Sequence, residues 1–430
     1  MVKQWSSPIR VWWSKLKTHP LARLGPGLIT GVADDDPSGI ATYSQAGAQF
    51  GLDALWTMPV ALPMMVAVQL MCARIGRVTG KGIAANIKDA FSPTVLRAVV
   101  ALLLITNTLN IAADIAAMGE AAELVTGFNR HVMTLAFTLL SLTLQVFVPY
   151  RRYVVFLRWL TLSLLAYVLV LFTVHVPWRQ VAWHTLSPHL TLNVAGVTVL
   201  LGVFGTTISP YLFFWQASEE IEDMRLTSHA KPLREDSRDA IPELRRIHWD
   251  TWSGMFYSDL IGYFIILATA VTLHVAGITH IQTAAQAAEA LRPLAGEFAF
   301  TVFAIGVVAV GLIAVPVLAG SAAYAVSETM SWRASLEAPV LKARGFYGII
   351  TLSFLVALSI QYSPITPMQA LFWSAVINGV VAVPVVAVIV VMASRPSVMG
   401  SFTSHRLTQW VGWLTVIVMG AAVVRMLWPD

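Results

Sequence analysis

The sequence predicts an all-α, polytopic membrane protein of eleven spans, and three observations carry that prediction. The chain is too apolar for a soluble domain: 57% of its 430 residues are hydrophobic and 12% charged, with mean hydropathy +0.70. Soluble proteins carry charge at about a quarter of their positions. Charge-free runs reach the ~18–20 residues that cross a bilayer, among them Ala54–Ala73, Val132–Tyr150, Trp159–Trp178 and Phe298–Ser327. Finally, Lys and Arg alternate with these runs. With the N-terminus inside, all but Arg130, Arg179, Arg292 and Arg425 of the 28 basic residues fall in inner segments, as the positive-inside rule requires. A β-barrel would show short alternating segments instead.

Taken in order, the spans centre near residues 37, 64, 110, 140, 166, 209, 266, 312, 353, 380 and 416. The first is interrupted by "DDDPSG", with Pro37 near its middle. The second, fourth, fifth and eighth are the charge-free runs above. The third carries Asp114, with Glu120 and Glu123 towards its outer end, where they are expected to line an entry vestibule. The sixth is interrupted at "FGTTISPYLFFW", with Pro210 near its middle. The seventh carries Asp259. The ninth and tenth share the run Gly345–Ser394, divided by the turn-like "YSPITPMQ". The longest polar stretch, Ser218–Asp250, is expected as an inner loop of mixed charge. The N-terminal stretch "WSSPIRVWWSKLKTHPLARLG" has the basic and Trp residues of an interfacial segment and lacks the apolar core and cleavage site of a signal peptide. The net charge of +5 and pI near 9.4 mark inner loops, chiefly "RIGRVTGK", "RR" at 151–152 and the cluster from Arg225 to Arg246, and point to no nucleic-acid partner. A single cysteine, Cys72, excludes an intramolecular disulfide and a cysteine metal cluster.

The two interruptions are the informative feature. One Asp at the centre of a membrane helix costs about 2.5–3.5 kcal/mol on insertion scales, and here three stand together beside Pro37-Ser38-Gly39. Broken backbone at membrane depth survives only where protein or a water-filled cavity satisfies it. Five spans precede the second break, so the breaks occupy matching places in two halves, the best sequence pointer to a transporter's central site. An unwound first helix presents carbonyls at its broken C-terminal end, a region of partial negative charge, and a carboxylate there makes the expected ligand a cation. Thr206, Thr207, Ser209 and the carbonyls freed by Pro210 add further oxygens. All-oxygen ligation suits Mg²⁺, Ca²⁺ and Mn²⁺ better than Zn²⁺ or Cu⁺.

At these residues the sequence resembles a known family. "GPGLITGVADDDPSGIATYSQAGAQFG" is similar to the first helix of the Nramp divalent-metal transporters, whose signature there is Asp-Pro-Gly-Asn. "QLMCARIGRVTGKGIA" resembles their second helix and following loop, and "GTTISPYLFF" their sixth helix, where the family carries Met-Pro-His. The resemblance spans nearly the whole chain. It implies a LeuT-like inverted repeat of five plus five transmembrane helices with helices 1 and 6 broken, and one extra C-terminal helix. The implied divisions are an interfacial segment 1–22, repeats at 23–178 and 179–394, and an eleventh helix with the C-terminus at 395–430. Carried over, Asp36 takes the place of the metal-binding aspartate, and Ala33 and Thr206 lend carbonyls. Gly39 stands where the family has its ligand Asn, Ser209 where it has Met, and Tyr211 where it has His. Asp114 is kept, but Ala117 replaces the Glu that usually follows. Ala375 falls near the usual Gln, with Asn378 close by.

These departures share a direction. Losing Met removes the soft thioether that favours transition metals, and Gly39 leaves room for a partly hydrated Mg²⁺, which sheds water reluctantly. A tyrosine with an unperturbed pKa near 10 does not titrate as a histidine near 6.5 does, so the family's proton route is interrupted. The pattern resembles the divergent Nramp-related magnesium transporters. The expectation is therefore a cell-membrane importer of Mg²⁺ or Mn²⁺, multi-pass with its N-terminus cytoplasmic. It needs no cofactor, is not an enzyme, and has the metal ion and the bilayer as partners; a monomer is compatible with the sequence. Metal contacts are expected from Asp36, Gly39, Ser209, Thr206 and Ala33. Asp34, Asp35, Ser38, Asp114, Tyr211 and Asn378 are assigned to the pathway, and Asp259 receives no role. Three alternatives stand beside this reading. One is a proton-coupled Mn²⁺/Fe²⁺ symporter of ordinary Nramp type. Another is an amino-acid transporter on the same fold, which three aspartates at the first break oppose. The last is an intramembrane aspartyl protease, whose Tyr-Asp and Gly-x-Gly-Asp motifs are missing.

Overall fold

The computed structural model describes residues 25–148, 161–188, 193–226, 230–336, 338–361 and 364–428. The interfacial segment 1–22 and the basic pair Arg151 and Arg152 lie outside them. Among the described residues eight helical stretches, one of them Val194–Leu226 taken across its break, are long and apolar enough to cross a membrane, and they fall on the second, third, fourth, sixth, seventh, eighth, tenth and eleventh expected spans. The first span is two short helices, α1 (Pro26–Asp34) and α2 (Pro37–Phe50). At 1.5 Å per residue neither alone covers the ~30 Å hydrocarbon core. The chain continues through α3 (Thr57–Thr79), α4 (Pro93–Thr126), α5 (Arg130–Phe147) and α6 (Leu165–Val170). Then come α7 (Val194–Thr207), α8 (Pro210–Leu226), α9 (Ala240–Thr269), α10 (Ala299–Thr329), α11 (Arg344–Ile360), α12 (Pro367–Ser394) and α13 (Arg406–Leu427).

Local sequence sets the boundaries. Ser92 caps α4 through the Val95 amide, with Pro93 in the first turn, and Gly127 ends that helix at φ 71°. Thr366 and Pro367 open α12 in the same way. Helix α11 ends at Ile360 and α12 opens at Pro367, which separates the ninth and tenth spans. In the core, α4 lies along α10, α1 along α9, and α7 along α12. Two of these crossings require glycine. A Cβ on Gly31 would stand 2.2 Å from the Gly254 carbonyl, and one on Gly205 would stand 2.1 Å from the Ala375 carbonyl. Backbones approach that closely only where small residues meet. The short helices beside both breaks are thereby clamped to unbroken neighbours. By contrast α5 and α13 leave Leu139, Leu140, Leu414 and Ile417 exposed, as a lipid-facing surface does.

One expectation is corrected. Ser218–Asp250 is not one loop: α8 continues to Leu226 and α9 starts at Ala240. Glu219, Glu220 and Glu222 on α8 are buried rather than solvated. Glu220 meets Arg246 at 2.6 Å, and Glu243 lies 3.1 Å from Arg77 and 3.4 Å from Arg246. Buried carboxylates need such partners, and the helices supply them across α3, α8 and α9. Asp250 reaches further, accepting from the Gly27 amide at 2.7 Å and the Leu28 amide at 3.3 Å. It thereby satisfies the first turn of α1, where donors are orphaned and negative charge is favoured.

Candidate metal site

The first break is built by its own side chains. Helix α1 stops at Asp34, Asp35 leaves helical geometry (φ −79°, ψ 51°), and Asp36 turns extended (φ −71°, ψ 170°) to cap α2, with Pro37 in the first turn. The Asp36 Oδ1 accepts from the Gly39 amide at 2.7 Å and the Ser38 hydroxyl at 2.6 Å. Sequence placed Asp36 as a metal ligand; the structure also makes it the N-cap of the following helix. An Asp cap both satisfies the amides and lies at the positive end of the helix dipole.

The second break comes to meet it. Helix α7 ends at Thr207, Ile208 leaves helical geometry, and Pro210 opens α8. The Ser209 hydroxyl turns back onto the Gly205 and Thr206 carbonyls at 2.8 and 2.6 Å, so it serves carbonyls that the end of α7 leaves open. Thr206 Oγ1 lies 3.4 Å from Ser38 Oγ, and Tyr43 OH lies 3.1 Å from Thr207 Oγ1. The Tyr211 hydroxyl is within donating distance of the Ala33 carbonyl at 3.1 Å and of Asp36 Oδ2 at 3.2 Å. Ala33, Asp36, Ser38, Gly39, Thr206 and Tyr211 therefore converge on one spot, fully buried or nearly so. A Cβ on Gly39 would lie 3.3 Å from the Tyr43 ring and 3.4 Å from Thr206 Oγ1, so its backbone faces both.

The remaining residues separate into groups. Asp34 and Asp35 turn away from Asp36 towards α9, where the Ser258 hydroxyl lies 2.6 Å from Asp34 Oδ2 and 2.9 Å from Asp35 Oδ1. A hydroxyl has one proton, so Ser258 bridges two carboxylates and serves one at a time. Asp259 is the next residue and is buried. Asp114 on α4 faces the Ser38 amide, without a hydrogen bond to either carboxylate oxygen. Asn378 is buried on α12 beside the Gly205 crossing, with neither amide atom partnered. Glu120 accepts from the Ala284 amide and Glu123 from the Arg130 amide, so both organise chain ends as well as carrying charge. Ser258, Tyr43 and Asp250 were not singled out from sequence. A serine or tyrosine in an apolar run gives no signal of its own, and Asp250 sat in what read as a loop.

Among the described residues no three His, Cys, Asp or Glu side chains stand at metal-binding spacing. A cation at the break would instead meet one carboxylate, one or two carbonyls and several hydroxyls, all hard oxygen donors. Two helix breaks that meet at a buried carboxylate, among helices long and apolar enough to cross a membrane, are the arrangement of a membrane transporter. The family model described as natural resistance-associated macrophage protein-like matches residues 27–429. The chain belongs to this family, Nramp, whose members are transporters and not enzymes. Among curated relatives, the divalent metal cation transporter MntH of Granulibacter bethesdensis is 25% identical over 94% of this chain and 87% of its own. That of Klebsiella pneumoniae is 27% identical over 93% and 92%. Among solved structures, an Eremococcus coleocola manganese transporter superposes with TM-score 0.70 at 18% identity, covering 99% of this chain and 88% of its own. Mhp1, a nucleobase-cation-symport-1 family transporter, does so with TM-score 0.55 at 13% identity, covering 94% and 92%. These two likenesses concern the fold.

Proposed function

We propose that this chain imports divalent metal cations, Mg²⁺ and also Mn²⁺, across the cell membrane by alternating access and without proton coupling. The observation that carries the reading is the donor set where the two breaks meet. One carboxylate, Asp36, is surrounded by the Ala33 carbonyl and the hydroxyls of Ser38, Thr206 and Tyr211. There is no thioether and no imidazole among them. Hard oxygens around a single carboxylate suit a small, partly hydrated dication. The names of the curated relatives support a divalent cargo, and the manganese transporters support Mn²⁺ as the second ion.

Uncoupled movement rests on Tyr211. Its hydroxyl points at Ala33 and Asp36, where a neutral phenol can orient the carboxylate but does not titrate near neutral pH as an imidazole does. The membrane potential, about 2.3 kcal/mol per charge per 100 mV, suffices to draw a dication inward. The matching places of Pro37 and Pro210 support an inverted repeat of five plus five helices at 23–178 and 179–394, with 395–430 as the additional helix. The distribution of Lys and Arg supports a cytoplasmic N-terminus, so the end where Arg77, Arg246 and Arg225 gather faces the cytoplasm.

The experiment uses purified protein in liposomes, following Mg²⁺ and Mn²⁺ uptake together with internal pH. Potential-driven Mg²⁺ uptake with no metal-dependent acidification is the expected result. Mn²⁺ uptake with acidification and no Mg²⁺ signal would instead place the chain among proton-coupled Mn²⁺/Fe²⁺ symporters.

A further inference from the structure

The face of α4 that meets α10 carries a stripe of polar residues that the metal site does not use. Asn107, Asn110 and Asp114 are spaced by three and four, which aligns them along one side of the helix, and all three are fully buried. The Asn107 amide donates to the Leu318 carbonyl at 2.9 Å and to Ser321 Oγ at 2.7 Å on α10. Its Oδ1 has no hydrogen-bond partner, nor has either amide atom of Asn110, and Asp114 faces only the Ser38 amide. One turn beyond Asp114, a Cβ on Gly311 would meet Met118 and then Pro37, so the stripe starts at the first break. Unpartnered amides at membrane depth are strongly unfavourable and rare. Buried polar groups without a protein partner are ordinarily satisfied by water, and this stripe has the polar atoms to hold it.

The stripe leads somewhere. Along α10, Leu318, Ser321, Tyr324 and Glu328 follow at helical spacing towards the end where most basic residues gather. Tyr324 and Glu328 line a cavity of about 530 Å³ between the ends of α3, α8 and α10 and the segment 332–342. The cavity also contains Ser218, Glu222 and Arg225. Its acids are held in place: Glu328 accepts from the Ala85 amide and lies 3.4 Å from Ser218, and Glu222 accepts from Ser335. The basic residues are partly neutralised within the fold, Arg225 by Glu222 and Lys81 by Asp89. Arg333 and Lys342 stand exposed, where salt screens them within ~8 Å.

We infer that the α4 stripe and this cavity form one hydrated release route for the divalent cation, resting on the reading of the break as its binding site. Asp114 and Asn110 offer oxygens to the ion's water shell as it leaves Asp36. Asn107 and Ser321, hydrogen-bonded to each other at 2.7 Å, must part to let the ion through. Glu222 and Glu328 place carboxylate oxygens on the inner wall of the cavity, where the ion's water shell can meet them before it reaches the cytoplasm.

The test uses the lone native cysteine to advantage. In a Cys72→Ser background, Asn110→Cys, Ser321→Cys and Glu222→Cys are made singly in inside-out vesicles, and a cationic methanethiosulfonate is added from the cytoplasmic face. All three should react, Asn110→Cys more slowly when Mn²⁺ is present, whereas Ile115→Cys on another side of α4 should not. Reaction at Glu222→Cys alone, with Asn110→Cys and Ser321→Cys silent, overturns the route. Labelling does not require turnover, so this failure is separable from failure of the transport reading, which Asp36→Asn reports through uptake. In the same vesicles Asn110→Leu should lower uptake at least tenfold with Mn²⁺ binding at equilibrium unchanged. Unaltered uptake in both Asn110→Leu and Asn107→Leu would also overturn it.

Discussion

The two helix breaks solve the same problem with different chemistry. At the first, Asp36 ends the gap with a charge: its carboxylate caps α2 and takes three donors, from Gly39, Ser38 and Tyr211. At the second, Ser209 ends the gap without one, returning its hydroxyl to the Gly205 and Thr206 carbonyls. The negative charge therefore comes from the first break alone, whereas both breaks supply neutral oxygens. A buried dication is stabilised by the fixed charge, while the neutral donors set how much of its water it keeps. On the proposed function, the carboxylate holds the ion and the neutral donors choose it.

The sharpest way to break this comparison is Asp36→Asn. The amide still caps α2, so the thermal midpoint should move by only a few degrees, the size of a cap change of about 1 kcal/mol. Uptake of Mg²⁺ and Mn²⁺ should fall to background, and residual uptake above a tenth of normal would mean that the charge at the first break is not required. Next in size is Gly39→Asn combined with Ser209→Met, which gives both breaks an ordinary Nramp donor. Mn²⁺ should then be preferred over Mg²⁺ by roughly tenfold more than before, about 1.4 kcal/mol, read by competition uptake. Tyr43 and Thr206 need yield only a few tenths of an ångström to admit the new Cβ, so the variant should fold. If its ion preference matches the parent's, the second break does not choose the ion.

Smaller effects sharpen the picture. Tyr211→Phe removes the hydroxyl shared by Ala33 and Asp36 and should change apparent affinity by roughly fivefold, the value of about one hydrogen bond. It should leave the absence of proton uptake untouched; metal-driven acidification appearing in this variant would show that Tyr211 blocks a proton route rather than orienting Asp36. Ser258→Ala, which strips the bridge from Asp34 and Asp35 without touching Asp36, should cost about threefold in affinity at most. A complete loss of uptake there would move the ion's main contact from the Asp36 side of the first break to the α9 side.

Much of the fold was legible in the chain. Hydropathy located the eight spans that are long and apolar enough to cross a membrane among the described residues, and the proline-flanked interruptions fell where α1 gives way to α2 and α7 to α8. Where the sequence misled, the reason is physical. Ser218–Asp250 is rich in charge and reads as solvated, yet Glu220 is buried because Arg246, one long helix away, pairs with it. Residue type alone cannot announce such a partner. Asp34, Asp35 and Asp36 are likewise equivalent as letters, and only the turn at Asp35 sends the first two towards Ser258 and the third towards Tyr211.

By itself the sequence determined what the bilayer imposes. An apolar stretch must be long enough to cross, every backbone group in it must be satisfied, and aspartates at membrane depth must serve a buried polar site. These constraints act along the chain and leave their mark in composition and spacing. The tertiary structure alone decided which oxygens face one another: Tyr211 against Ala33, Thr206 beside Ser38, and Asn107 against Ser321. Those pairings join residues more than 160 positions apart, across α8 and α1, α7 and α2, and α4 and α10. Contact at such separation depends on how helices pack, which no local pattern encodes.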